Sequence, residues 1–267
     1  MADADLGDVT IHYDETGVGS LAYVFCHGGG GSGQVFVEHF PFWGEHFPRV
    51  VTWDNRGMGQ SSQTAKYSLP LYAYDLARLL DQIGVERAVL HGVSWGGVVV
   101  LQFALDYPGK CAAIIVDSSS SEVNVAASEN WYNRGEVARL GAEAKLDEFR
   151  PAFAGHTASV QAIRERGMNV QPKHVDSYVA MMRALAGLRE HPLTPRLREI
   201  GCPALIVGAG QDATAGAGGS VVMARNITNA RLEIFQESSH GVYRHKRDEF
   251  RALVLEFCRD HGILPPE

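Results

Sequence analysis

Short apolar runs of strand length recur along the chain, and each one ends in a polar or glycine-rich segment. Runs without alternation lie at residues 21–26, 87–90, 112–116 and 202–207, and residues 231–235 alternate between polar and apolar as a strand does. Unbroken apolar runs of this length are typical of strands that are buried on both faces of a parallel sheet. Longer segments with helical character, such as residues 98–107, alternate with them. The pattern predicts an α/β fold with a mostly parallel central sheet and helices on both faces.

The middle of the chain has a different pattern, because no strand-like run stands out between about residue 122 and residue 197. The segments with helical composition and spacing are residues 129–150, 158–168 and 172–188. We therefore predict a core made of residues 1–119 and 199–267. An α-helical cap, residues 120–198, is expected to interrupt this core and to cover the functional site.

Composition and charge argue against some classes of binding partner. The chain has 267 residues, of which 45% are hydrophobic, and this suits one α/β domain with an insertion. Its formal net charge of −7 argues against binding to nucleic acid or to an anionic membrane surface. The chain opens with no signal segment and contains no apolar run of about 18 residues. We expect a cytoplasmic protein whose partner is a small molecule.

The spacing of cysteines and histidines gives no support to cofactor or metal chemistry. The four cysteines are widely spaced and lie mostly inside apolar runs, which predicts buried free thiols. His240, His245 and Asp248 are close in sequence, but the spacing of the two histidines does not bring them onto one face of a helix. We expect neither a bound metal ion nor a cofactor.

A glycine-rich loop follows the first of these runs and reads His-Gly-Gly-Gly-Gly-Ser-Gly at residues 27–33. Consecutive glycines expose backbone amides, which can bind either a phosphate or a developing oxyanion. No Lys-Ser or Lys-Thr pair follows the glycines, and no dinucleotide fingerprint is in register with a later acidic residue. The pattern therefore favours an oxyanion site. Residues 54–61 are expected to form a structured turn in which Asp54 and Arg56 bind loop backbone rather than substrate.

Ser94 lies in a sequence typical of a sharp turn between a strand and a helix. It stands in His-Gly-Val-Ser-Trp-Gly-Gly at residues 91–97, between a strand-like run and a helical one. In a nucleophile elbow of this kind the backbone of the nucleophile is strained, and flanking glycines prevent collisions between side chains. The alternative interpretation makes Ser94 a helix N-cap between two glycines that serve only packing.

A serine hydroxyl is a poor nucleophile near neutral pH unless a base removes its proton and a carboxylate supports that base. His240 and Asp212 each follow a strand-like run, at the end of a sheet where functional loops gather. Asp212 could alternatively cap the next helix, and Asp117 is the rival acid. With Asp212 as the acid, replacement of Asp117 is expected to have little effect. His91 is expected to be packed within its strand and His245 to be solvated.

In chain order, the glycine loop is followed by Ser94, Asp212 and His240, each at the end of a strand. Together with the elbow and the turn at residues 54–61, this order resembles the α/β-hydrolase fold superfamily over essentially the whole chain. The resemblance implies that Ser94, His240 and Asp212 form a catalytic triad.

The same resemblance implies an oxyanion hole next to the nucleophile. One donor would be the backbone N–H of Trp95, the residue that follows Ser94. The second would come from the glycine loop, from either Gly29 or Gly30, because four consecutive glycines leave the register open.

These features favour a hydrolase of small or medium carboxylic esters or lactones that acts through an acyl-enzyme. Three alternatives stay open. The elbow and the first loop glycines are also similar to proline iminopeptidases. The size and the cap resemble C–C bond hydrolases of ring-cleavage products, which usually carry methionine where Trp95 stands. Some proteins of this fold act as ligand receptors while they keep a complete triad.

Overall fold

The computed structural model describes residues 1–142 and 170–266, which form an eight-stranded sheet flanked by helices. The strands are β1 Ala2–Asp5, β2 Thr10–Gly17, β3 Leu21–Cys26, β4 Arg49–Trp53, β5 Arg87–Val93, β6 Cys111–Asp117, β7 Ala204–Ala209 and β8 Ala230–Phe235. The α-helices of these ranges are α1 Phe40–Gly44, α2 Leu69–Gln82, α3 Trp95–Asp106, α4 Val125–Ala142, α5 Val175–Gly187, α6 Gly216–Asn226, α7 Val242–His245 and α8 Arg247–Asp260. The predicted α/β fold class is confirmed.

The order of strands in the sheet is β1-β2-β4-β3-β5-β6-β7-β8. β2 pairs antiparallel with β1 and with β4, whereas every pair from β4 to β8 is parallel. β4 and β5 lie on opposite sides of β3, so the chain reverses its progress across the sheet after β4. Loops at the carboxyl ends of strands diverge at such a reversal and leave a crevice. Here the loops after β3 and β5 are the glycine loop and the turn at Ser94.

Successive side chains of β3 point to opposite faces of the sheet and join two different cores. Ala22, Val24 and Cys26 pack in the core that contains the buried sides of α2 and α3. Tyr23 and Phe25 pack in the other core, together with apolar residues of α1 and α8. The central sheet is therefore covered on both faces, which explains why its strands are apolar without alternation.

Helices α4 and α5 lie between β6 and β7 in the chain and pack against each other. α4 begins earlier than predicted because the Asn124 side chain accepts a hydrogen bond from the N–H of Ala127 at 2.9 Å and caps the helix. α5 matches the helix predicted at residues 172–188. The helix predicted at residues 158–168 lies outside the described residues, and the cap boundaries stay predictions. Within the described ranges no helix is long and apolar enough to cross a membrane.

A buried ion pair fixes the turn at residues 54–61. Arg56 is 1% exposed, and its guanidinium donates to both carboxylate oxygens of Asp75 in α2 at 2.6 Å. Asp8 contacts Arg56 as well, and Arg78 bridges Asp8 and Asp75. Because the donors of Arg56 face both oxygens of a buried carboxylate, each charge compensates for the lost solvation of the other. The pair ties the turn after β4 to the body of the domain.

Asp75→Asn leaves the charge of Arg56 buried without its bidentate carboxylate. We expect the free energy of unfolding to fall by about 3–5 kcal/mol. The matched control is Asp81→Asn in the same helix, where Asp81 forms an exposed ion pair with Lys110, and such pairs contribute about 0–1 kcal/mol. Chemical denaturation followed by circular dichroism measures both variants, and equal losses would contradict the role given to the buried pair.

Candidate functional site

Ser94 joins β5 to α3 in a turn whose backbone is strained. Its φ of 56° and ψ of −118° lie outside the regions that residues with a side chain ordinarily adopt. A Cβ atom on Gly92 would overlap the backbone of Gly96, and one on Gly96 would overlap the carbonyl group of Cys26. Both glycines are therefore needed for the close approach of α3 to the sheet. This is the strained turn that the sequence predicts.

The glycine loop after β3 lies beside this turn. Gly31 donates its N–H to the carbonyl of Gly28 at 3.1 Å, which closes a tight turn. A Cβ atom on Gly29 would lie 3.1 Å from Cε of Met182 in α5 and 3.6 Å from Cβ of Trp95, and one on Gly30 would lie 3.0 Å from the ring of Tyr178 in α5 without a contact to Trp95. Among the described residues, no protein acceptor receives the backbone N–H of Gly29, Gly30 or Trp95. Gly29 and Trp95 are therefore neighbours whose amides can bind a ligand.

Asn55 connects the glycine loop to the elbow, a role for which the sequence carries no distinct signal because asparagine is common in turns. Its backbone N–H donates to Nε2 of His27 at 3.0 Å, and its side-chain oxygen accepts from Nε1 of Trp95 at 2.8 Å. His27 donates from Nδ1 to the carbonyl of Gly28 at 2.8 Å. Burial lowers the pKa of His27, which favours the neutral ring that this pattern requires. The two loops and the turn after β4 form one connected unit.

The turn after β4 is held by its own side chains, as expected for Asp54. The carboxylate of Asp54 accepts the backbone N–H groups of Gly33 at 2.7 Å and of Gln60 at 2.8 Å. The expectation for Arg56 needs a correction. Arg56 donates to the carbonyl of Lys66 at 3.0 Å, but its main partner is the buried carboxylate of α2. Neither side chain lines the cavities at Ser94.

Asp212 and His240 meet between the loops that follow β7 and β8. Nδ1 of His240 lies 2.8 Å from Oδ2 of Asp212, and Oδ1 accepts the backbone N–H groups of Thr214 at 2.7 Å and Ala215 at 3.0 Å. Burial alone would raise the pKa of Asp212, but the hydrogen bonds from His240 and from these amides lower it below its ordinary value. The Asp212 side chain is 1% exposed and that of His240 is 29% exposed. The carboxylate is thus shielded behind a ring that faces the cavity.

Asp117, the rival acid, holds the backbone next to His240 rather than its ring. Its carboxylate accepts the N–H of Val242 at 3.1 Å, the N–H of Tyr243 at 3.0 Å and the hydroxyl of Ser118 at 2.8 Å. The same hydroxyl accepts the N–H of the residue after His240 at 3.0 Å. Burial raises the pKa of Asp117, although these donors oppose the rise. Asp117 anchors the histidine loop, so the expectation that its replacement has little effect is revised.

Ser94 lies at the boundary between two cavities. The glycine-loop cavity has a volume of about 400 Å³ and is lined by residues 27–31, His240 and parts of α4 and α5. The serine cavity has a volume of about 440 Å³ and is lined by residues 118–120 and by the start of α6. Trp131 and Leu185 of the inserted helices line both cavities. Ser94 is thus accessible from two sides to a molecule of moderate size.

His91 and His245 are in the environments that the sequence predicts, and the prediction of buried free thiols is wrong only for Cys202. His91 is buried in β5 with Nδ1 3.1 Å from the Tyr23 hydroxyl, and burial lowers the pKa of His91 to about 3. His245 is exposed at the end of α7. All four cysteines are free thiols, three of them buried and Cys202 half-buried. The described ranges contain no group of three or more histidine, cysteine or carboxylate side chains that could hold a metal ion.

Similarity to known proteins extends over most of the chain. A family model of the alpha/beta hydrolase fold matches residues 24–244. The 2-hydroxy-6-oxo-6-phenylhexa-2,4-dienoate hydrolase of Comamonas testosteroni is 26% identical over 97% of this chain and 94% of its own length. The 3-oxoadipate enol-lactonase 2 of Acinetobacter baylyi is 22% identical over 87% of each chain.

Two solved structures have the same fold. An enol-lactonase from Burkholderia xenovorans aligns with a TM-score of 0.76 and 21% identity, over 96% of this chain and 99% of its own. A thermophilic esterase from Thermogutta terrifontis aligns with a TM-score of 0.75 and 24% identity, over 97% of this chain and 96% of its own. At these identities the structural likeness establishes the fold alone.

Asp117→Asn replaces one carboxylate oxygen by an amide group that cannot accept a hydrogen bond. At least one donor to Asp117 then loses its acceptor, and we expect the free energy of unfolding to fall by about 1–3 kcal/mol. Amide hydrogen exchange in residues 238–245 should also become faster, which peptide-level mass spectrometry measures. The control is Asp248→Asn, which removes a carboxylate that is 95% exposed. Unchanged exchange in the histidine loop of Asp117→Asn would contradict the anchoring role.

Proposed function

Because the chain belongs to the alpha/beta hydrolase fold family, we propose that it is a serine hydrolase of small or medium carboxylic esters or lactones. The observation that carries the proposal is the presence of Ser94 and His240 on the wall of one cavity, with Asp212 hydrogen-bonded to His240. The strained backbone of Ser94 adds support, since such strain persists only where the surrounding structure enforces it.

In the proposed reaction, Nε2 of His240 takes the proton of the Ser94 hydroxyl, and the serine oxygen attacks the acyl carbonyl. The alcohol leaves with that proton, and Ser94 carries the acyl group. Water then gives a proton to His240 and attacks the acyl-enzyme, and His240 returns that proton to the Ser94 oxygen as the acid is released. Asp212 supports each transfer because its contact with Nδ1 keeps Nε2 as the basic nitrogen and stabilises the imidazolium. The lowered pKa of Asp212 favours the ionised form that this role needs.

We assign the oxyanion hole to the backbone N–H groups of Trp95 and Gly29. The closeness of Gly29 to Trp95 supports this register, because both donors must reach one oxygen. Gly30, the other candidate, lies against the ring of Tyr178 instead. The loss of one such donor typically lowers the rate by about 10²- to 10³-fold.

The inserted helices α4 and α5 serve as the cap in this proposal. Trp131 and Leu185 support this role because they line both cavities beside Ser94. Volumes of about 400 and 440 Å³ suit a small or medium acyl substrate. The two relatives described above are named for hydrolysis of a dienoate and of the enol-lactone of 3-oxoadipate, and both of these compounds carry a carboxylate. A cytoplasmic location and a small-molecule acyl substrate belong to the same proposal.

Hydrolysis of a C–C bond in a ring-cleavage product is the second candidate. It is favoured by the 26% identity to a dienoate hydrolase over nearly the whole chain. Such hydrolases usually carry methionine at the position of Trp95. The tryptophan therefore favours hydrolysis of an ester or lactone over hydrolysis of a C–C bond. The substrate panel described next separates the two candidate reactions.

The primary test compares wild-type and Ser94→Ala proteins on p-nitrophenyl esters of increasing chain length and on a small lactone. We expect ester turnover with a chain-length optimum, because cavities of about 400 and 440 Å³ accommodate acyl groups of limited size. Ser94→Ala should lower turnover by up to ~10⁶-fold, since the nucleophile is lost. Ser68→Ala is the control, because Ser68 caps α2 away from both cavities.

A ring-cleavage dienoate and a proline arylamide complete the panel. Ser94-dependent turnover of the dienoate without any ester turnover would replace ester hydrolysis by the second candidate. Turnover of the arylamide alone would indicate a peptidase. No turnover of any substrate by folded wild-type protein would contradict an enzymatic role and favour a ligand receptor of the same fold.

Asp212→Asn tests the acid. Asparagine keeps an oxygen for the N–H groups of Thr214 and Ala215 but removes the charge that supports His240. We expect turnover to fall by about 10⁴-fold while the melting temperature changes little. The exposed replacement Asp248→Asn should keep wild-type turnover. Wild-type turnover by a folded Asp212→Asn protein would exclude Asp212 as the acid.

A further inference from the structure

Four consecutive serines, residues 118–121, follow β6 in a segment that is mostly buried. Three of them are at most 2% exposed. The hydroxyl of Ser118 accepts the N–H of Gly241, the residue after the proposed base, at 3.0 Å. The hydroxyl of Ser119 donates to the backbone carbonyl of Ser94 at 2.7 Å. The segment therefore contacts both the histidine loop and the turn that carries the proposed nucleophile.

Ser119 fits beside that turn because Gly97 has no side chain. A Cβ atom on Gly97 would lie 2.6 Å from both Cβ and Oγ of Ser119. The carbonyl of Ser94 also accepts the N–H of Gly97 at 2.9 Å and the N–H of Val98 at 3.4 Å. The hydrogen bond from Ser119 is the shortest of the three, whereas the ordinary helical bond from Val98 is long. The hydroxyl thus adds a strong constraint where the first turn of α3 supplies a weak one.

The carbonyl of Ser94 and the N–H of Trp95 belong to the same peptide group. That group is planar and trans, so the C=O and N–H bonds point in opposite directions and turn together. A hydrogen bond that fixes the direction of the carbonyl therefore fixes the direction of the Trp95 N–H as well. A donor on the carbonyl also polarises the peptide group, and this strengthens the N–H as a donor on the opposite side.

We propose that Ser119 is a positioning residue for the oxyanion hole: its hydroxyl holds the peptide group between Ser94 and Trp95, so that the Trp95 N–H points at the oxyanion. The proposal rests on the proposed function, because an oxyanion forms only if Ser94 adds to an acyl carbonyl. A hydroxyl has a single proton, and Ser119 uses it on the Ser94 carbonyl. Ser119 therefore acts through the peptide group and donates no hydrogen bond to the substrate.

Ser119→Ala removes this hydroxyl and keeps the proposed triad. Because the loss of a whole donor costs about 10²- to 10³-fold and Ser119→Ala only frees the direction of one, we expect kcat on p-nitrophenyl esters to fall by about 10- to 100-fold. KM should change by less than about twofold, since the negative oxygen is present in the transition state and not in the bound ester. Steady-state kinetics of both proteins measure the two constants separately.

Ser177→Ala is the matched control. Ser177 in α5 is fully buried, its hydroxyl donates to the carbonyl of Arg56 at 2.8 Å, and it lines neither cavity at Ser94. Both variants lose one buried hydrogen bond to a backbone carbonyl, so their melting temperatures should fall by similar amounts. Only Ser119→Ala should lose kcat. An equal loss of kcat in the two variants, or wild-type kcat in Ser119→Ala, would overturn the proposal and leave the proposed function standing.

A trifluoromethyl ketone with the best acyl chain measures the tetrahedral state directly. The Ser94 oxygen bonds to the ketone carbon, the serine proton passes to His240, and the ketone oxygen becomes an oxyanion. In Ser119→Ala its inhibition constant should rise by about the factor by which kcat/KM falls. The corresponding methyl ketone, which stays trigonal, should bind equally to both proteins. Equal inhibition of both proteins by the trifluoromethyl ketone would overturn the proposal.

NMR spectroscopy tests the peptide group without any substrate. The carbonyl carbon resonance of Ser94 and the amide nitrogen resonance of Trp95 report the hydrogen bonds of that group. We expect both resonances to shift in Ser119→Ala and neither to shift in Ser177→Ala. If no ester is turned over by wild-type protein, the proposed function fails, and these resonances decide whether Ser119 holds the Trp95 amide. Movement of both supports that role, and unmoved resonances overturn it.

Discussion

The close approach of α3 to β3 is the constraint on which the site depends. Gly96 has no room for a side chain against the carbonyl of Cys26, and Gly92 has none against the backbone of Gly96. The chain reverses in this space with Ser94 at a positive φ of 56°. The same contact brings the amide of Trp95 beside the glycine loop, so the proposed nucleophile and the proposed oxyanion donors are positioned by one packing contact rather than by separate loops.

Aspartates organise the loops around this turn in a common way. Asp54 and Asp212 follow parallel strands and Asp117 is the last residue of one, and each carboxylate accepts two backbone N–H groups from residues outside the sheet. Carboxylates are strong acceptors for such amides, so each one fixes a loop at the edge of the sheet. Asp212 differs from the other two because its second oxygen also contacts a ring nitrogen of His240. Asp212 therefore both holds the backbone of its own loop and contacts the ring of His240.

The features that sequence predicts well are those that depend on local geometry. Unbroken apolar runs predict the parallel sheet, and two glycines around Ser94 predict the strained turn, because both effects act over a few residues. The anchoring role of Asp117 has no such signal, since its contact with Val242 joins residues 125 positions apart.

The partners of Asn55 and Arg56 escape prediction for a related reason. Turns favour asparagine whatever it contacts, and a bidentate partner for arginine is visible only when α2 is folded against the turn. The positions of Trp131 and Leu185 are equally hidden, because the sequence of the inserted helices gives no sign of which face lies over Ser94. Sequence therefore indicates the proposed reacting groups better than it indicates the residues that position them.

Covalent labelling with a fluorophosphonate measures most directly whether Ser94 is an activated nucleophile, because these reagents need an activated serine but no particular substrate. Intact-mass analysis and peptide mapping of the wild-type protein should give one adduct, on Ser94, and labelling of Asp212→Asn should be much slower. No adduct on folded protein, or an adduct on another serine such as Ser118 or Ser119, would contradict the assignment of Ser94 as the nucleophile.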